Sequence, residues 1–221
     1  MLVFQTQHQD ISLLTVATGP LQTNSTFVYD NITKELIIFD AGHQPELSTH
    51  IIEEQGLKLQ KIIHTHTHFD HMASAGPLKR KYNCEIRIPP ADQFLYDVMN
   101  ESAAMYGLQF EPTEPVDSHI STSETISLGS HKNLWEVIST PGHTPGGTCF
   151  YSEYFPDPIL IAGDTLFQGS IGRTDLPGGN HQQLLESIKN NLFNLPENTI
   201  VICGHGANTT IGVEKRSNPF F

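Results

Sequence analysis

The sequence is poor in positive charge, in cysteine and in long apolar runs. Twelve Lys and Arg stand against 24 Asp and Glu, a formal charge of −12. That balance repels a phosphate backbone and leaves no basic stripe, so no nucleic acid partner is expected. No stretch approaches the run of about eighteen apolar residues that a membrane-crossing helix needs. The opening Met-Leu-Val-Phe-Gln-Thr-Gln-His-Gln-Asp lacks the basic and long apolar regions of a secretory signal. The expectation is a cytoplasmic protein with no membrane association. Cys84, Cys149 and Cys203 are odd in number and lack zinc-ribbon spacing, so they read as reduced core thiols. No internal repeat of fixed period is visible.

What is present suffices for a sizeable core. At 221 residues and 38% hydrophobic composition, the chain predicts one domain over residues 1–221. Apolar and β-branched segments at 13–18, 27–29 and 36–39 predict an opening meander. Helical spacing follows over 46–55, a strand over 61–63, a short helix over 72–82 and a strand over 85–88. A helix is predicted over 91–106 with Phe94, Leu95, Val98, Met99 and Met105 as its packing stripe. The Lys79, Arg80 and Lys81 run reads as a solvated helix end, and 107–118 as an exposed loop. The second half alternates predicted strands at 125–128, 134–139, 148–151 and 158–162 with turns, then an amphipathic helix over 182–195 before Pro196.

Residues 62–71, Ile-Ile-His-Thr-His-Thr-His-Phe-Asp-His, place four histidines and an aspartate in ten positions. Neutral imidazoles and carboxylates suit borderline transition metals, and residues two apart on an extended segment point the same way. His66, His68 and Asp70 can therefore share one cavity, and a helix starting near His71 swings that imidazole in from another side. Three later strand-like runs each end in a glycine-flanked loop bearing one such residue: His143, Asp164 and His205. Glycine lets several loops crowd one ion.

Thr65-His-Thr-His-Phe-Asp-His71, followed in order by His143, Asp164 and His205, resembles the signature of the metallo-β-lactamase superfamily. Pro141-Gly-His-Thr144, Gly163-Asp-Thr-Leu-Phe167 and Gly169-Ser-Ile-Gly-Arg-Thr-Asp175 resemble the short glyoxalase II-like hydrolases. The resemblance implies an α/β fold, a four-layer αββα sandwich with two mixed sheets and the site along one edge. It implies that His66, His68 and His143 hold one metal, that Asp70, His71 and His205 hold a second, and that Asp164 bridges them. Zinc is the first expectation for these two divalent ions, with iron or manganese as the other candidates. Two such metals about 3.5–4 Å apart share a hydroxide that attacks the substrate carbonyl, and Asp70 is expected to help orient it.

The implied substrate is a small thioester such as an S-hydroxyacyl-glutathione. Arg173 stands where glyoxalase II carries a glutathione-contacting base, and an ion pair with Asp175 is its structural alternative. Asp175 and Ala207 replace glutathione-holding tyrosines of the long enzymes, and only sixteen residues follow His205, so no separate C-terminal helical domain is expected. The Lys215 and Arg216 pair either replaces part of that pocket or caps the last helix. Other readings are hydrolysis of another ester or lactone, or a persulfide dioxygenase using a single iron, which shares the Gly-Arg-Thr-Asp loop. His64 lies outside the family pattern and is expected to pack near the ligands. Asp40 is expected either to orient ligands from behind or to cap a turn.

Overall fold

Along the strands, successive apolar side chains go to different cores, and that period of two builds the layers. The computed structural model describes residues 1–122 and 124–221. One seven-stranded sheet runs in chain order: β1 (Leu2–His8), β2 (Ile11–Thr18), β3 (Thr23–Asp30), β4 (Glu35–Phe39), β5 (Lys58–Ile63), β6 (Glu85–Ile88) and β7 (Ser118–His119). Its first four strands pair antiparallel and the rest parallel. The second sheet contains β8 (Thr125–Leu128), β9 (His131–Ser139), β10 (Thr148–Ser152), β11 (Ile159–Gly163), β14 (Ile200–Cys203) and β15 (Thr209–Thr210). Its spatial order is β15-β14-β11-β10-β9-β8, with β11 and β14 parallel. A small hairpin, β12 (Leu166–Phe167) and β13 (Ser170–Ile171), lies between β11 and β14 in the chain.

In β4, Ile37 and Phe39 enter the core between the sheets, while Leu36 and Ile38 enter an outer core. In β10, β11 and β14 the inward residues are Phe150, Ile161 and Ile202, and the outward ones Cys149, Leu160 and Val201. Phe39 joins the two sheets, its ring centroid 5.3 Å from Trp135 and 4.8 Å from Phe150. The outer face of the first sheet is covered by α1 (Pro45–Glu54), α3 (Ala75–Tyr82), α4 (Gln93–Asp97) and α5 (Met99–Met105). The second is covered by α6 (His181–Ser187), a π turn over Ile188–Leu192, and α7 (Ile211–Ser217). The expected αββα sandwich of two mixed sheets is the observed fold, and among the described residues no helix is long and apolar enough to cross a membrane.

Some local expectations need correction. The edge strand β1 is an addition to the expected elements: its apolar start Leu2-Val3-Phe4 is short, its second half is polar, and no residue of it is fully buried. The expected helix over 91–106 breaks at Val98, whose φ of −109° and ψ of 24° interrupt it between α4 and α5. The stripe splits accordingly: Leu95 and Met99 are buried, whereas Phe94, Val98 and Met105 are 44%, 41% and 85% exposed. Lys79 and Arg80 are not merely solvated. They bind Asp117, Glu111 and Glu114, fastening the 107–118 loop, whose Leu108, Phe110 and Val116 pack on the outer core. Helix starts at Phe69 in α2 (Phe69–Met72), two residues before the expected point.

Candidate metal centre

Parallel strands deliver their following loops to one end of a sheet, and here both sheets do so at the same edge. His66 and His68 follow β5, and Asp70 and His71 lie in α2. His143 lies between β9 and β10, Asp164 follows β11, and His205 follows β14. Cross-sheet bonds lock the two halves here. Thr148 N donates to Thr65 O (2.9 Å), Asn24 N to Gly204 O (2.7 Å), and Asn24 Nδ2 to Cys203 O (2.8 Å).

The structure brings all seven expected ligands together. Ligand atoms of His66, His68 and His143 lie within 4.8 Å of one another, as do those of Asp70, His71 and His205, and those of His66, His71 and Asp164. A tetrahedral cation with ligands at about 2.0–2.1 Å requires ligand atoms about 3.3–3.4 Å apart. Around the second group the spacings are 3.3 Å from His71 Nε2 to His205 Nε2, 3.2 Å from His205 Nε2 to Asp70 Oδ2, and 3.2 Å from His71 Nε2 to Asp164 Oδ1. In the first group, His68 Nδ1 and His143 Nε2 are 2.9 Å apart, and Asp164 Oδ2 is 3.6 Å from His143 Nε2. Asp164 thus turns one oxygen to each group. Among the described residues, His66 Nε2 and Asp164 Oδ1 are buried without a hydrogen-bond partner. Buried polar atoms rarely remain unpaired, and an array of this composition and spacing fits two cations.

The outer ring nitrogens are held from behind, which turns the opposite nitrogen inward. Asp40 Oδ2 accepts from His71 Nδ1 (2.9 Å) and from Thr65 Oγ1 (2.8 Å), and Thr65 Oγ1 is 3.0 Å from His66 Nδ1. His143 Nδ1 donates to Arg173 O (2.7 Å) and His205 Nδ1 to Leu21 O (3.0 Å). Of the two roles expected for Asp40, orientation of a ligand is therefore the one the geometry displays, and Thr65 connects it to a second.

Charge is distributed unevenly. Burial pulls His71 down, but the carboxylates of Asp164, Asp70 and Asp40 outweigh it and hold its pKa well above the usual imidazole value. Burial would raise Asp164, yet His71 and its neighbours hold it well below the carboxylate range. His66 and His68 are depressed, first by burial and then by neighbouring imidazoles, His68 to about 4. The carboxylate-rich half is thus proton-hungry and the imidazole-rich half proton-averse, as expected where cations belong.

The weaker candidates resolve individually. His64 is fully buried but absent from the converging groups, and among the described residues neither ring nitrogen is hydrogen-bonded, Asp40 Oδ1 being 3.8 Å from Nδ1. Cys149 and Cys203 face the outer core, where burial pushes their thiols up to about 11 and about 12, so neither is a thiolate ligand. Arg173 makes a two-pronged ion pair with Asp175, both contacts 2.7 Å, on the exposed rim. Lys215 donates to Phe193 O (3.1 Å) and Arg216 pairs with Glu197 (2.7 Å), binding α7 to the fold. A further group, Asp10, Asp30 and His131, lies among residues of β3, β9 and the β1–β2 turn, where Asp10 bridges His131 and Tyr154.

Sequence reasoning missed Thr23, whose hydroxyl donates to Asp70 Oδ2 (2.9 Å), and Asp92, which contacts two ligand loops. Both act across long sequence separations, with no local signal.

A model of the metallo-beta-lactamase superfamily matches residues 18–205. The chain belongs to the metallo-β-lactamase superfamily. It is 37% identical over 201 residues to the hydroxyacylglutathione hydrolase GloC of Haemophilus influenzae, covering 90% of this chain and 92% of that one. Among solved structures, the B3 metallo-β-lactamase BLEG-1 superposes with a TM-score of 0.85 at 34% identity, covering 94% of this chain and 98% of the other. TTHA1623 in a di-iron-bound form gives a TM-score of 0.83 at 33% identity, covering 94% and 99%. As a member of this metallo-β-lactamase superfamily, the protein is an enzyme with a metal-binding hydrolase fold.

Proposed function

We propose that the protein hydrolyses a small thioester, such as an S-hydroxyacyl-glutathione, at a dinuclear centre held by His66, His68, Asp70, His71, His143, Asp164 and His205. The observation that carries this reading is Asp164, whose Oδ1 is 3.2 Å from His71 and whose Oδ2 is 3.6 Å from His143. A carboxylate shared between two ligand groups is what a bridging role demands. The hydrolase GloC supplies the substrate class, and TTHA1623 the precedent of two metals on a similar chain. Two divalent cations, zinc first, with iron or manganese as alternatives, supply Lewis acidity and an activated water there.

The chain's own groups position the reaction. Asp70 Oδ2 accepts from Thr23 and points, beside His205 Nε2, into the second ligand group, which leaves Oδ1 to accept a hydrogen bond from the attacking water. Asp40, Arg173 O and Leu21 O fix three imidazoles so that ligand geometry is set before substrate arrives. The Arg173 side chain, 55% exposed, gives its Nε and Nη2 to Asp175, so a two-pronged grip on a substrate carboxylate through that same edge requires exchange with Asp175. The His71 and His205 group supports this reading over a single-iron dioxygenase, which leaves that group without a task. Burial of three free thiols accords with a cytoplasmic setting, and ligands drawn from both sheets accord with residues 1–221 acting as one domain.

Metal-loaded protein should release thiol from S-lactoylglutathione, and Asp164→Asn should lower kcat by about a hundredfold or more. The panel should include acyl-coenzyme A thioesters, a lactone and a β-lactam. Turnover of the lactone or β-lactam without turnover of any thioester overturns the thioester reading.

A further inference from the structure

Asp92 is a carboxylate with no exposed surface, set at the end of the short 3-10 turn Pro90–Asp92 and outside every group of converging ligand atoms. Its partners are informative. Oδ1 accepts from Gly146 N (2.6 Å); Oδ2 accepts from Thr144 Oγ1 (2.8 Å) and Thr67 N (3.3 Å). Its backbone carbonyl accepts from Thr67 Oγ1 (2.8 Å). Thr67 separates His66 from His68, and Thr144 follows His143. One buried side chain therefore ties together the two loops that present the imidazole-only group, loops that come from different sheets.

The chemistry of those contacts requires a carboxylate. Every partner of the side chain is a donor, and two are backbone N–H groups that cannot reverse roles. An amide in the same place sets its own N–H against one of them. Close packing removes slack, since a Cβ at Gly146 would lie 2.6 Å from Asp92 Cγ. Other side chains hold the second group: Asp40 and Thr23 bond His71 and Asp70, and Asn24 Nδ2 bonds the carbonyls of Cys203 and Gly206 on either side of His205.

We infer that Asp92 is a positioning residue that sets the spacing of His68 and His143, and hence the affinity of the His66, His68 and His143 site, independently of the other site. The inference rests on the dinuclear reading above and deepens it.

Cobalt(II) titration tests it, with the ion itself as probe and the visible absorption of each bound ion as readout. Wild-type protein is expected to take up two equivalents. Asp92→Asn should weaken one step by tenfold or more and shift one set of absorption bands, leaving the second step within threefold of wild type. Thr144→Val, which removes one bond only, should move the same step in the same direction by less. Thr23→Val, which removes the bond to Asp70 Oδ2, should weaken the opposite step. If Asp92→Asn fails to fold, as judged by Trp135 emission, Thr144→Val carries the test. Equal weakening of both steps, or no change in either, overturns the inference. A wild-type protein that binds fewer than two equivalents overturns the dinuclear reading instead, and the two failures are distinguishable.

Discussion

At His64 burial outweighs every other influence on the ring. The imidazole is wholly enclosed, and desolvation lowers its pKa to about 4 against the opposing pull of Asp40. Because the folded value lies below the unfolded one of about 6.5, its contribution to stability is full above that pH and fades as pH falls toward the folded value. At pH 5 the unfolded chain holds the proton and the folded chain does not, which costs about 2 kcal/mol. In metal-free protein, His64→Leu should therefore narrow the loss of unfolding free energy between pH 7 and pH 5 by about that amount, read by urea denaturation. Equal losses in the two proteins would mean that His64 is protonated when folded. The ligands themselves were legible in the sequence because each chemistry-bearing residue stands at a strand end, beside glycine or within a dense His and Asp run. Asp40 was half legible, as an acid before a turn. Thr23 and Asp92 were not, since what they touch is fixed by tertiary folding, Thr23 reaching Asp70 across 47 positions.

At the level of elements, the site depends on how closely β11 and β14 bring their loops together. A Cβ on Gly204, just after β14, would lie 2.0 Å from Asp164 Oδ1 and 2.9 Å from His71 Cε1. Gly163, the last residue of β11, has φ of 49°, and a Cβ there would sit 2.2 Å from Thr65 Oγ1. The glycines thus admit carboxylate and imidazole where any side chain would intrude. Gly204→Ala should push Asp164 out of register and reduce metal affinity about tenfold or more, while the far-UV circular dichroism stays that of the wild type. Unchanged affinity would show that the β14 loop yields without moving Asp164. The strands were readable as short apolar runs because both faces of β4, β10, β11 and β14 are buried. The helix over 91–106 misled for a related reason. Its apolar residues serve two short helices separated at Val98, and helical spacing cannot reveal a break at an ordinary valine.

For the whole molecule, the layered cores and the metal centre are separable sources of stability. Trp135, Phe39 and Phe150 lie fully buried between the sheets, and two further cores seal the helices onto the outer faces, all without a metal-ligating side chain. The site adds cross-sheet contacts along one edge, and without cations the charges of Asp70 and Asp164 are offset by neighbouring imidazoles, His71 first. Metal removal should therefore leave a folded protein. After chelation, the far-UV spectrum and the blue-shifted emission of Trp135 should persist while Tm falls. Cation at a hundredfold excess over its Kd adds about 2.7 kcal/mol to the folded state for each site filled, which for a chain of this size is a Tm difference of about 5–11 °C per site. Readdition of two equivalents of zinc should restore most of it, and Asp164→Asn should respond much less. Loss of the Trp135 signal on chelation at 25 °C would show instead that the two sheets are held together chiefly through the metal edge.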